Sequence, residues 1–278
     1  MAPRLGPKSL PVPAPDRCAF VTGASSGIGT AIARELAGRG HRVVLVARSV
    51  STLTALADEL SAAGARADAL PTDLSDRGAR AGLLERIGEL GLTPDILVNN
   101  AGLSTLGPVA AADPAAEMNM IEVDVMAVAD LCTRFLPGMV QRGRGAVLNV
   151  ASTAAFQPLP GQAGYGACKA FVLSYTQSLA GELRGTRVTV TALCPGPVHT
   201  GFGERAGFAD EDAEAALPAF MWETPDAVAR AAVAGLDRGR MVVIPGTANR
   251  AASILAQVMP RSLLVPLLAG RHPGLRKD

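Results

Sequence analysis

Short runs of β-branched and aliphatic residues alternate along the chain with longer segments in which apolar residues recur every three or four positions. The apolar runs are CAFVTG, RVVLVAR, ADALPTD, DILVNN, GAVLNVAS, RVTVTALCPG and MVVIPG. The longest helical segments lie between them at about 114–142 and 161–184. Near-continuous apolar strands separated by amphipathic helices are typical of a parallel sheet covered on both faces. We therefore predict an α/β fold, a doubly wound, Rossmann-like parallel sheet of about seven strands in a single domain.

The ends of the chain differ from this pattern. Residues 1–16 contain five prolines, which predicts an extended, mobile leader before a domain at 17–246. A glycine-rich, then acidic, then aromatic segment at about 197–223 has the position of a substrate lid. Residues 247–278 form a helical tail in which Pro260 and Pro266 interrupt any long helix. We expect this tail to pack on its own subunit, on a neighbour or on a membrane surface.

Composition narrows the class of partner. The net charge is +1, with acids and bases interspersed over 278 residues. Such a chain has no strongly positive electrostatic potential to attract nucleic acid or an anionic membrane. The four scattered cysteines and three unclustered histidines suggest neither a disulfide framework nor a metal site. No apolar run approaches the roughly 20 residues of a transmembrane helix. We expect a cytoplasmic protein with a small-molecule partner.

A glycine-rich loop follows the first strand and opens the first helix. Its predicted contacts with a cofactor come from Gly23, Ser25, Ser26, Gly27, Ile28 and Gly29. The start of a helix attracts phosphate, and glycine lets a pyrophosphate approach the backbone. The alternative is an ordinary turn before a helix.

The ends of the next strands carry further candidates. Arg48 stands where an acid would bind the ribose hydroxyls of NAD, so it either pairs with a 2′-phosphate or is a solvated surface arginine. Asp73, followed by Leu74, either reaches the adenine or begins a helix cap. The NNAG segment ending at Gly102 either borders the cofactor cleft or is a simple turn.

A tyrosine and the chain's one interior lysine share a helical face. Tyr165 and Lys169 are four residues apart, and Ser152 closes the strand before their helix. Taken alone, such a pair is more typical of a half-buried core tyrosine beside a snorkelling cation. The order of the glycine loop, NNAG and Ser152 favours a catalytic site instead.

This order of motifs resembles the short-chain dehydrogenase/reductase superfamily. The resemblance extends from about Arg17 to Gly246 through TGASSGIG, NNAG, Ser152, the Tyr165 to Lys169 pair and PGPVHT. STAAFQPLPGQAGYGACKAF and CPGPVHTGF are most similar to a bacterial branch of broadly annotated reductases.

The resemblance implies roles for these residues. Tyr165 transfers the proton, Ser152 orients the carbonyl oxygen, and Lys169 contacts the nicotinamide ribose and lowers the pKa of the phenol. Cofactor contacts carried over from the family are Asn100, Ala101, Gly102, Pro195, Gly196, Val198 and Thr200, together with Tyr165 and Lys169. The family also implies a homodimer or homotetramer.

One position departs from the family. Asp124 stands where the family often has an asparagine whose backbone carbonyl holds a water. The extra carboxylate either reduces activity, acts in the proton relay or has no effect.

The resulting prediction is an NADP(H)-dependent oxidoreductase that moves a hydride between nicotinamide and a carbonyl or secondary alcohol. Aromatic residues either contact an apolar substrate or pack on the core. The candidate contacts are Phe156, Phe202 and Trp222, with Phe208 and Phe220 elsewhere in the lid. The rival is a non-catalytic dinucleotide-binding or scaffolding protein, which Asp124 alone favours. An epimerase or lyase is weaker because it needs a further acid or base.

Overall fold

Seven runs of aliphatic and β-branched residues form one parallel sheet in the computed structural model, which describes residues 10–205, 207, 218–270 and 273–275. The strands are β1 (Arg17–Thr22), β2 (Arg42–Val46), β3 (Ala67–Ala69), β4 (Thr93–Asn99), β5 (Gly145–Val150), β6 (Val188–Leu193) and β7 (Val242–Val243). Their order across the sheet is β3-β2-β1-β4-β5-β6-β7. The order reverses between β1 and β4, which opens a crevice at the carboxyl ends of these strands. The predicted doubly wound, Rossmann-like fold is confirmed.

Helices cover both faces of the sheet. They are α1 (Gly27–Gly38), α2 (Val50–Ala62), α3 (Arg77–Ala81), α4 (Leu83–Glu89), α5 (Pro114–Ile121), α6 (Ala127–Arg142), α7 (Ala163–Glu182), α8 (Phe202–Arg205), α9 (Pro225–Asp237), α10 (Thr247–Val258) and α11 (Arg261–Ala269). A single π-helical turn, Glu122–Met126, joins α5 to α6. A π turn inserts an extra residue per turn and is often found at functional sites. The long predicted segment at 114–142 is therefore two α-helices with an irregular turn between them.

Alternating strand residues point to the two helical layers. Ala19, Leu45 and Val98 pack with α1, α2 and α9 on one face, whereas Phe20 and Val44 belong to a cluster with α6 on the other. Phe20 and Phe135 meet with ring centroids 5.1 Å apart. Because the central strands are buried on both faces, they read in the sequence as uninterrupted apolar runs.

The described part of the leader lies against the domain. Leu10 is buried, and its backbone N–H donates to Oδ1 of Asp237 at 2.9 Å. Arg144 donates to the carbonyl of Val12, and Arg66 to that of Pro15. Residues 10–16 are thus held by the domain instead of extending from it, while residues 1–9 lie outside the described residues.

The predicted lid and tail are only partly described. Phe208 and the acidic stretch at 208–217 lie outside the described residues. The tail forms α10 and α11, separated at Pro260, with Pro266 inside α11 and a short 3₁₀ turn at Pro273–Leu275. Within the described ranges, no helix is long and apolar enough to cross a bilayer.

Candidate active site

Ser152, Tyr165 and Lys169 meet at the carboxyl edge of the sheet. β5 ends at Val150, and the Ser152 hydroxyl accepts from the backbone N–H of Ala154 at 3.1 Å, which starts a 3₁₀ turn. Tyr165 and Lys169 lie in the first turns of α7, with Lys169 Nζ 5.5 Å from the centre of the tyrosine ring. Lys169 Nζ also donates to the carbonyl of Val150 at 3.4 Å. The fold therefore brings together the three side chains that the sequence pattern singled out.

Asp124 faces the same site from the π turn. Its Oδ2 lies 2.8 Å from Lys169 Nζ, and its Oδ1 accepts from the backbone N–H of Leu103 at 2.7 Å. Asp124 is fully buried and Lys169 is 5% exposed. A Cβ on Gly102 would lie 3.1 Å from both Asp124 Oδ2 and Lys169 Nζ, so a larger residue there would crowd the ion pair. The carboxylate points into the site.

Burial and charge act in opposite directions on this pair. Burial disfavours the ammonium of Lys169, but the charge of Asp124 and the phenol of Tyr165 outweigh it and raise the lysine pKa. Burial raises the pKa of Asp124, against the lowering effects of Lys169 and of the Leu103 N–H. Lys169 is therefore held in its charged form.

The pKa of Tyr165 lies above its ordinary value. Burial is the largest cause, Lys169 and a hydrogen bond with Ser152 oppose it, and Asp124 and Cys168 reinforce it. Lys169 thus has the predicted lowering effect, but the expected net lowering of the phenol pKa is wrong because burial outweighs the ammonium. Tyr165 holds its proton at neutral pH.

The glycine-rich loop has the shape of a phosphate cradle. Gly23 and Gly27 have φ angles of 63° and 57°, which side-chain-bearing residues rarely adopt. A Cβ on Gly29 would lie 2.2 Å from the carbonyl oxygen of Gly23, so only glycine fits at the start of α1. Ser25, Ser26 and Ile28 complete the turn at this helix end. The residues present fit a pyrophosphate approaching the backbone at a helix N-terminus.

The NNAG segment holds that loop in place through hydrogen bonds. The Asn100 side-chain amide donates to the carbonyls of Thr22 and Gly23 at 3.0 and 3.2 Å. The Thr22 hydroxyl donates to the carbonyl of Val98 and accepts from the N–H groups of Asn100 and Ala101. The motif TGASSGIG begins at Thr22, but the sequence pattern predicted no contacts for this residue. A threonine that ends an apolar strand does not indicate which other strand it will hydrogen-bond.

Arg48, Asp73 and Leu74 lie beyond the ends of β2 and β3. Arg48 and Asp73 are exposed, and Leu74 is buried in the core. Asp73 accepts from the N–H of Ser75 at 2.9 Å, and this bond, with the charge of Arg48 as a smaller cause, lowers its pKa. The helix cap belongs to Asp76 instead, whose side chain accepts from Gly78 and Ala79 at the start of α3.

The segment after β6 closes the site from the opposite side. The Pro195 carbonyl accepts from Thr153 at 2.9 Å, beside Ser152. A Cβ on Gly27 would lie 2.9 Å from Cβ of Thr200, so Thr200 lies against the glycine loop. Val198 pairs with Glu223 at the far end of the predicted lid.

Asn249 in α10 was missed by sequence reasoning. A Cβ on Gly196 would lie 2.4 Å from the Asn249 side chain, and Asn249 Nδ2 donates to the carbonyl of Met221 at 2.9 Å. The first tail helix therefore contacts both ends of the lid. Nothing in the pattern around Asn249 distinguishes it from a surface residue.

The aromatic substrate candidates have different surroundings. The Phe202 ring lies 5.9 Å from the Tyr165 ring, and Trp222 stacks on His199 at 4.7 Å. Phe156 lines a surface cavity of about 520 Å³ with Ala163 and Ala170 of α7. These two alanines point roughly 130° around the helix from Tyr165 and Lys169. Phe202 is the candidate seen against Tyr165, and the placement of Phe156 does not support a substrate contact.

Comparisons with known proteins identify relatives of this chain. A family model described as short chain dehydrogenase matches residues 17–209. An uncharacterized oxidoreductase of Myxococcus xanthus is 37% identical over 76% of this chain and 81% of its own length. The NADP-dependent 3-hydroxy acid dehydrogenase YdfG of Salmonella typhi is 36% identical, over 72% and 83%. A short chain dehydrogenase of Pseudocercospora fijiensis is 39% identical over 70% of this chain, which spans 66% of that protein, just under two thirds.

Solved structures extend the likeness over nearly the whole chain. A short-chain dehydrogenase from Sphingobium yanoikuyae in complex with NADPH has a TM-score of 0.76 and 32% identity, covering 94% of this chain and 99% of its own. A structure from work on 7β-hydroxysteroid dehydrogenase stereoselectivity has a TM-score of 0.81 and 25% identity, covering 91% and 96%.

Proposed function

This chain belongs to the short-chain dehydrogenase/reductase superfamily, and on that premise we propose that it is an NADP(H)-dependent oxidoreductase acting on a carbonyl or secondary alcohol. The observation that carries the proposal is the position of Lys169 Nζ, 5.5 Å from the Tyr165 ring at the carboxyl edge of the sheet. The Ser152 hydroxyl lies close enough to the same tyrosine to oppose the rise in its pKa. A proton donor, an orienting hydroxyl and a buried cation thus converge beside the glycine loop.

Proton transfer is the task of Tyr165. In the direction of reduction its hydroxyl donates a proton to the carbonyl oxygen as that oxygen becomes an alcohol, and in oxidation the phenolate takes the proton back. The raised pKa keeps the hydroxyl protonated at neutral pH, which suits reduction. Ser152 positions the oxygen, and Lys169 stabilises the phenolate that is left after the transfer.

Asp124 acts on this group through Lys169. The 2.8 Å ion pair keeps the ammonium charged in a buried position where an unpaired lysine would lose its proton. The same carboxylate disfavours the phenolate. Asp124 is therefore a positioning residue that sets the balance between a charged lysine and a protonated tyrosine.

NADPH would lie across the crevice between β1 and β4 and supplies a hydride when bound. The glycine loop at the start of α1 would hold its pyrophosphate, and Arg48 would pair with its 2′-phosphate. Two relatives support NADPH as the cofactor. The Salmonella relative is named as NADP-dependent, and the Sphingobium structure is a complex with NADPH. Asn100 supports the loop, and Thr200, which lies against Gly27, would close it over the phosphates.

An aromatic side chain lies beside the tyrosine. The rings of Phe202 and Tyr165 are 5.9 Å apart between centroids. We propose a carbonyl compound or alcohol with an apolar body, bound between Tyr165 and Phe202. The comparisons lend no support to the non-catalytic alternative.

A direct test follows NADPH absorbance with a panel of ketones and aldehydes. Tyr165→Phe keeps the ring and removes the proton, so it should bind NADPH like the wild type and lose at least about 100-fold in turnover. Binding of NADPH without turnover of any carbonyl or alcohol by the wild type would favour a dinucleotide-binding protein. Equal turnover by Tyr165→Phe would exclude the proton-transfer role.

A further inference from the structure

The first tail helix, α10, has its polar and apolar faces reversed. Asn249, Ser253 and Ala256 are buried against the domain, whereas Ile254, Leu255 and Val258 are 53, 57 and 73% exposed. At 100° per residue the exposed apolar residues are centred opposite the buried ones. A surface helix normally turns its apolar side to the core, so this outward face requires another partner.

The next helix, which Arg261 joins to α10 through the carbonyl of Ala256, also exposes apolar side chains. Leu263 and Leu267 of α11 are exposed and one turn apart, while Leu264 is buried. Of the seventeen large hydrophobic side chains exposed within the described residues, seven lie between Met241 and Leu267. This concentration in about a tenth of the chain marks an interaction surface. We call the exposed side chains of Ile254, Leu255, Val258, Leu263 and Leu267 the tail face.

The segment that carries the tail face is basic. Residues 239–278 contain six basic residues and one acid, Asp278, whereas residues 1–238 contain four more acids than bases. The even mixture of charges expected from the whole chain therefore does not hold in the tail. Arg240, Arg250 and Arg261 are all exposed.

Two of these arginines adjoin the apolar residues. Arg240 and Arg250 line a surface cavity of about 460 Å³ together with Ile254 at the edge strand β7. Arg261 donates to the carbonyls of Ala256 and Phe156, which joins α11 to α10 and to the turn after β5. Cationic groups thus border the apolar side chains on a surface tied to the domain.

From this arrangement we propose that the tail face docks on an anionic lipid bilayer. Apolar side chains would enter the boundary between headgroups and acyl chains, and the arginines would contact lipid phosphates. A second copy of the chain is the less suitable occupant, since a self-complementary contact would need acids on the same surface to pair with these arginines, and residues 239–277 contain none. The proposal concerns binding at the membrane surface and is independent of the oxidoreductase activity.

Vesicle flotation of the full-length chain tests this proposal. Vesicles of phosphatidylcholine with about one third phosphatidylglycerol should carry the protein upward, and phosphatidylcholine alone should not. Raising the salt concentration from about 0.1 to about 0.5 M should release most of it. Failure to float with the anionic vesicles would overturn the proposal.

Matched variants identify the surface. Leu255→Glu and Leu263→Glu, one on each helix, should each reduce the floated fraction at least about tenfold. Val50→Glu changes a residue of similar exposure at the start of α2 and should float like the wild type. Far-UV circular dichroism establishes whether each variant is folded. If only one of the two tail variants folds, that variant is enough for the test. Normal flotation of a folded tail variant would assign the tail face to something other than a bilayer. The same conclusion would follow if, without lipid, a tail variant formed a smaller assembly than the wild type.

Discussion

Nζ of Lys169 lies 2.8 Å from Oδ2 of Asp124, and both side chains are buried. The carboxylate comes from a π turn between α5 and α6, and the lysine from α7, so the pair joins that turn to the helix that carries the tyrosine. Opposite charges at this distance stabilise each other strongly only when both are removed from water. Both Lys169 and Tyr165 therefore depend on the charge of Asp124.

Asp124→Asn should move the alkaline side of the pH–activity profile to lower pH. Removing the negative charge lowers the pKa of Tyr165, which Asp124 helps to raise, and lowers that of Lys169, which Asp124 also raises. Both lower pKa values move the loss of reductase activity at alkaline pH to lower pH. The variant should stay active, because asparagine can still accept from Leu103. Turnover measured across pH for the wild type, Asp124→Asn and the exposed control Asp58→Asn tests this, and identical profiles would refute it.

Lys169→Arg should lose at least about 100-fold in turnover. The substitution preserves charge, but the planar guanidinium is larger than the ammonium and has fixed donor directions. The space is narrow, since even a Cβ on Gly102 would approach Nζ to 3.1 Å. Single-turnover kinetics with saturating cofactor would separate this loss from weakened binding. Near-normal turnover would contradict the role proposed for the ammonium.

Arg48→Ala should weaken NADPH binding about tenfold or more and leave NADH binding nearly unchanged. A charge-assisted hydrogen bond to a phosphate is worth about 1.5–3 kcal/mol, and 1.4 kcal/mol is a tenfold change in affinity. Fluorescence titration of both cofactors into wild type, Arg48→Ala and the exposed control Arg66→Ala measures this. Equal affinities of the wild type for the two cofactors would remove the basis for NADP preference.

Gly29→Ala and Gly38→Ala form a matched pair in α1. A Cβ at residue 29 would lie 2.2 Å from the Gly23 carbonyl, whereas a Cβ at residue 38 meets nothing within 4 Å. Gly29→Ala should cost about 1–3 kcal/mol of folding stability and abolish cofactor binding, because the loop must open. Gly38→Ala should gain up to about 1 kcal/mol through helix propensity. Urea unfolding with cofactor titration would show both, and unaltered binding in Gly29→Ala would contradict the proposed cradle.

The predicted homodimer or homotetramer should use the outer face of α7. Ala163, Ala167, Ala170 and Ser174 are exposed there and small enough for close helix packing. Ala170→Arg should convert the assembly to a smaller species in analytical ultracentrifugation, and Ala62→Arg on α2 should not. A wild type that is monomeric at every concentration would exclude this interface.

The sequence by itself determined the elements and much of the candidate site. Continuous apolar runs predict strands buried on both faces, and the glycine spacing requires a tight turn at the start of α1, because these are properties of neighbouring residues. The four-residue spacing of Tyr165 and Lys169 placed both on one face of α7. All of these features depend on backbone geometry within a few residues.

Only the tertiary structure decided the relations between distant segments. Asp124 and Lys169 are 45 residues apart, and no periodicity indicates that a π turn directs the carboxylate at the ammonium. The same limit applies to Thr22, whose partners belong to another strand. In α10, a helical pattern shows that an apolar face exists but not which way it points. Asn249 contacts Gly196 and Met221, so the polar side faces the domain and the apolar side faces outward.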